Sequence, residues 1–65
     1  MITGILDLSR DYEDALLAFR LNGGPRLQIQ MHEKRKALER HPDGENERLQ
    51  AVLRVDDRLA LVLRS

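Results

Sequence analysis

His41-Pro42-Asp43-Gly44 is the clearest local stop signal in the chain. Pro42 crowds the residue before it and disfavours a helical His41. Asp43-Gly44 completes a turn, and Asp43 can also cap a following helix. A basic segment, Arg26 to Arg40, lies before these residues, and a mixed-charge apolar one, Glu45 to Leu63, lies after them. Read as a tight turn, the four residues fold two helices back on each other and set the class as all-α.

The segment after the turn carries Glu45 and Glu47 in what would be a first helical turn, where acidic groups suit the helix dipole. Leu49, Val52, Leu53, Leu59, Ala60 and Leu63 then recur at three- and four-residue steps and share a stripe. Asp56 falls inside that stripe, and Val55 and Val62 flank it. Leu59, Leu61 and Leu63 also alternate, which admits a strand over Arg58 to Arg64. The helical spacing continues from Leu49 without a breaker and favours a helix to Leu63.

The segment before the turn is helical by propensity but weakly amphipathic. Leu27, Met31 and Leu38 share a face, Lys34 sits in the middle of it, and Ile29 points elsewhere. Arg26, Lys34, Arg35, Lys36 and Arg40 against Glu33 and Glu39 give it a local net charge of +3. Folding about residues 41–44 sets Lys34 roughly one helical turn from Asp56. Either the two form a partly buried pair that fixes register, or Lys34 is a solvent-edge residue that snorkels.

Asn22-Gly23-Gly24-Pro25 marks a second boundary. Asn and Gly tolerate the left-handed conformation that closes a helix, and Pro25 suits the first turn of the next one. Upstream, Ile5, Leu8, Tyr12, Ala15, Leu16 and Phe19 form one apolar stripe. Thr3 could cap this helix. Ser9 offers a second start, which would leave residues 2–8 as an extended arm. The expectation is one helical domain over residues 1–65, with helices at about 5–21, 26–40 and 45–63. Its expected core is Tyr12, Leu16, Phe19, Leu27, Met31, Leu38, Leu49, Leu53, Leu59 and Leu63.

Composition narrows the function. Sixty-five residues with no cysteine exclude disulfides and thiolate zinc sites. So short a chain buries little of its surface, which leaves tight helix packing or self-association as sources of stability. Eleven basic and eleven acidic residues cancel, which weighs against nucleic-acid binding by bulk charge. Tyr12 and Phe19 are the only aromatics, too few for base stacking. No stretch has the length of a membrane span or the pattern of a signal peptide. The absence of cysteine fits a cytoplasmic protein.

Chemistry-bearing constellations are sparse. His32 and His41 lie nine residues apart, not at the i,i+4 spacing of a helical metal pair. Ser9 and Ser65 are the only serines, and neither joins a histidine and a carboxylate in sequence. No catalytic residue, metal or cofactor is expected, and no small-molecule substrate. The apolar residues left over (Leu6, Leu17, Val55, Leu61, Val62) exceed what one small core needs, and open apolar area of that kind marks an interface. The residues expected to meet a protein partner are Lys34, Arg35, Lys36, His41, Pro42, Asp43, Asp56, Val55, Leu59 and Val62. The reading is a non-catalytic, oligomeric interaction module: a small adaptor, chaperone or assembly factor.

Lys34-Arg35-Lys36-Ala37-Leu38-Glu39-Arg40 running into His41-Pro42-Asp43 resembles the J domain of heat-shock co-chaperones. There a His-Pro-Asp tripeptide joins a basic second helix to an amphipathic third one. Ile5-Leu6-Asp7-Leu8-Ser9-Arg10-Asp11 is similar to the opening segment of many J domains. The resemblance implies that His41, Pro42 and Asp43 would stimulate a heat-shock chaperone's ATPase, with Lys34, Arg35 and Lys36 docking on its acidic surface. A small DNA-binding regulator that contacts phosphate through the basic helix is a third reading.

Overall fold

The computed structural model describes residues 4–64. They form α1 (Ile5–Asn22), α2 (Pro25–Glu39) and α3 (Gly44–Arg64), packed together, with no strand among the described residues. Thr3, expected as a possible cap, and residues 2 and 3 of the possible arm lie outside the described residues.

The helix α1 opens on Gly4, whose carbonyl accepts from Asp7 and Leu8 N–H at 3.1 and 3.2 Å. Ser9 is therefore inside α1 and not its cap. Gly23, at φ +68°, closes the helix by donating its N–H to the Phe19 carbonyl at 2.6 Å. Gly24, at φ +98°, turns the chain again, and Pro25 occupies the first turn of α2. Both angles lie where a side chain strains the backbone, so the glycine pair is a requirement of the turn.

The second turn, residues 40–43, is held by backbone hydrogen bonds. His41 N–H donates to the Leu38 carbonyl at 3.2 Å, and Gly44 N–H to the His41 carbonyl at 3.0 Å. The Asp43 backbone carbonyl then accepts from Glu47 N–H at 3.0 Å, which starts α3. A Cβ at position 44 would sit 1.9 Å from the Leu38 carbonyl oxygen. Only glycine allows that approach, for reasons of space and not of φ. Arg58 to Arg64 continue α3 as helix, so the strand alternative is set aside.

Tyr12 and Leu16 of α1, Leu38 of α2, and Ala51 and Val55 of α3 form the buried cluster. Ile5, Leu8, Leu17, Met31, Val52 and Leu59 pack around it, half-buried. Helix α1 packs against both other helices, while α2 and α3 meet least. Helix α1 is thus the central element of the packing. The weak amphipathicity of α2 explains why, since only Leu38 of that helix is fully buried.

The face of α3 is corrected as well. Val55, expected among the spare apolar residues, is 0 % exposed, and so is Ala51. Leu49, Leu53 and Leu63, expected in the core, are 51 %, 57 % and 81 % exposed. Two causes act together. Small residues on both sides, Ala51 and Val55 on α3 and the buried Ser9 on α1, let the helices approach closely. Helix α3 is also the longest, at 21 residues against 18 and 15, and residues 60–64 are all exposed.

Candidate interaction surface

Polar ties between α1 and α3 set the rotation of α3. Ser9 Oγ donates to Glu47 Oε1 at 3.0 Å and accepts from the Arg54 guanidinium at 2.8 Å. Arg54 also reaches Glu47 at 2.9 Å and Glu13 at 3.2 Å. Glu47 and Arg54 are seven residues apart and so share a face of α3. Ser9 is 1 % exposed and falls on the same stripe as Tyr12 and Leu16. Its hydroxyl is satisfied on both its donor and its acceptor side, which removes the penalty of burying it.

The electrostatics of this group are internally matched. Hydrogen bonds from Arg54 and then Ser9 hold the Glu47 carboxyl below its ordinary value of 4.5. The bonds to Glu47 and then Glu13 push the Arg54 guanidinium up from its already high value. Leu6, Ser9, Arg10, Glu13, Glu47 and Arg54 line a shallow cleft of about 240 Å³. Neither histidine lines it, and the Ser9 hydroxyl at its base is buried and committed to its two partners. The arrangement is a structural clasp between α1 and α3. Nothing in the sequence stripe singled it out, although a serine among Ile5, Tyr12 and Leu16 was a readable signal.

A second tie joins α1 to α3 farther along, where Arg20 pairs with Asp56. Of the two alternatives for Lys34, the pairing with Asp56 is absent and the solvent-edge position is the one found: Asp56 bonds α1, and Lys34 is exposed. The basic segment divides in two. Lys34 and Lys36 stand in solvent, while Arg35 is half-buried and pairs with Glu39 at 3.4 Å. Arg48 approaches the same Glu39 carboxylate at 3.8 Å from α3. Pro42 and Asp43 are exposed at the turn, with His41 half-buried. Of the apolar residues expected at an interface, Val55 is core, Leu59 is half-buried against the core, and Val62 is exposed.

A further open apolar line runs along α3. Leu49, Leu53, Asp56, Ala60 and Leu63 are all exposed and follow one another at steps of four, three, four and three. That spacing averages 3.5 residues and draws a narrow line along one face, the pattern of a helix seam that meets another helix. The line runs about 21 Å at 1.5 Å per residue. Asp56, the one ionised member, is already neutralised by Arg20 of the same chain. Sequence reasoning found this line but assigned it to the core, because leucines outweigh an alanine and a valine in any count of apolar size.

No group of histidine, cysteine and acidic side chains that could hold a metal occurs among the described residues. None of their helices is long and apolar enough to cross a membrane. Comparison with protein-family models, curated proteins and solved structures finds no match to this chain.

Proposed function

We propose that this chain is a non-catalytic, helical protein–protein interaction module working through the open face of α3. A small adaptor, chaperone or assembly factor has these properties. The observation that carries the reading is the line of Leu49, Leu53 and Leu63, each more than half exposed, on a well-formed helix. Aligned exposed leucines cost solubility and contribute nothing to the fold beneath them, and contiguous apolar area marks a contact surface. The cysteine-free composition suits a reducing, cytoplasmic setting.

A photo-crosslinking residue placed at Leu53 in the native cells tests this. It should give a protein adduct of discrete mass, and the same probe at Gln30, exposed on α2, should not. Equal labelling from both positions, or none from Leu53, removes the reading.

A J-domain-like co-chaperone is the second reading. It is supported by the exposure of Pro42, Asp43, Lys34 and Lys36 around the end of the basic helix. Stimulation of a heat-shock chaperone's ATPase by the wild type, lost in His41→Gln with helicity kept, would establish it. No stimulation by the wild type ends it.

A further inference from the structure

We propose that the occupant of the α3 seam is a second copy of this chain, docked antiparallel about a two-fold axis. The proposal rests on the interaction reading above and names its partner. A stripe that meets its own copy is the commonest route to a closed assembly.

Charge decides the direction. Glu45 lies in the first turn of α3 and Arg64 in its last, while Glu47 is held in the clasp with α1. An antiparallel pair sets the acidic start of each helix beside the basic end of the other and opposes the two helix dipoles. A parallel pair would bring the two acidic starts together, which is unfavourable.

Register follows from setting the two charged ends of α3 level with each other. With Glu45 level with Arg64 of the second copy, Leu49 faces Ala60 and Leu53 faces Asp56 of that copy. Ala60 is small where a leucine must enter. Asp56 brings no bare charge into the seam, because Arg20 of its own chain holds it. The polar flank matches too, with Gln50 near Asp57 of the second copy. The three leucines offer roughly 350 Å² of open apolar surface, a modest patch. That falls short of the ~800 Å² per partner of a standard interface, so the pair is a weak, reversible one.

The chain has no cysteine, which makes a disulfide test clean. Leu49→Cys and Ala60→Cys variants, mixed at micromolar concentration under mild oxidation, should link to each other at twice 7.5 kDa. Each variant alone should link at least tenfold more slowly. Wild-type protein should sediment as a dimer at the same concentration, and Leu53→Glu as a monomer of unchanged helicity, with Leu49→Glu as the second variant if that one unfolds. Efficient self-linking of Leu49→Cys would overturn the antiparallel arrangement. A wild-type monomer throughout the micromolar range would overturn self-pairing. In that event a discrete adduct with a different protein from position 53 leaves the interaction reading standing, and the absence of any adduct removes both.

Discussion

The Ser9 hydroxyl donates to the Glu47 carboxylate at 3.0 Å, joining α1 to α3 across 38 residues of sequence. Arg54 binds both groups, so the three side chains act as one clasp. Ser9→Ala leaves Arg54 its two carboxylates and should cost about 1 kcal/mol, the net worth of a typical hydrogen bond. Thermal unfolding monitored by circular dichroism would read this as a drop of several degrees.

The clasp also makes stability depend on acid. The Glu47 carboxyl lies below 4.5 in the folded chain, held there by Arg54 first and Ser9 second. As pH falls, the unfolded state takes up the proton before the native one does, so the contribution is full above 4.5 and is lost through the depressed native value. The stability advantage of wild type over Glu47→Gln should therefore narrow as pH drops below 4.5. Parallel pH profiles for the two proteins would remove Glu47 from the account.

Val55 and Leu53 lie two residues apart and should respond in opposite ways. Val55 is fully buried, and Val55→Ala should cost about 1–3 kcal/mol, a large share of the stability of so small a domain. Leu53 is exposed, and Leu53→Gln should stay within about 0.5 kcal/mol. Denaturant titration of both variants at submicromolar concentration separates folding from association.

Gly44 is fixed by space. Gly44→Ala brings a methyl against the Leu38 carbonyl and should cost about 1–3 kcal/mol as the turn shifts. Gly4→Ala meets nothing within 4 Å and should cost less, only what alanine loses against glycine at the start of α1. Equal melting temperatures for the two variants would contradict the turn described here.

Lys34 faces solvent, and Asp56 belongs to Arg20. Lys34→Met should leave the melting temperature unchanged within about 0.5 kcal/mol of stability. A marked loss would reinstate a role for Lys34 in the fold.

Much of the architecture was legible because its signals were local. Gly23-Gly24-Pro25 and Pro42-Asp43-Gly44 stop helices by their own backbone chemistry. The stripe through Tyr12 and Leu16 is the one apolar line on α1. Helix α3 was harder, because it carries two lines about a third of a turn apart. One is leucine-rich, through Leu49, Leu53 and Leu63, and the other runs through Ala51 and Val55. Periodicity cannot choose between them. The choice was made by the close approach at Ser9 and by polar ties from Glu47, Arg54 and Asp56, all of them contacts between residues far apart in sequence. Of the spare apolar residues, Leu6, Leu61 and Val62 are exposed as the sequence suggested, while the rotation of α3 buries Val55 and opens Leu49 and Leu53 instead.

The account turns on which side of α3 is open. Single cysteines introduced as Leu49→Cys, Leu53→Cys, Ala51→Cys and Val55→Cys, labelled with a thiol reagent in protein dilute enough to be dissociated, measure this directly. Positions 49 and 53 should react at close to the rate of an unfolded peptide, and positions 51 and 55 at least tenfold more slowly. Rapid labelling at 51 and 55 with protection at 49 and 53 would put the leucine line in the core and contradict the account.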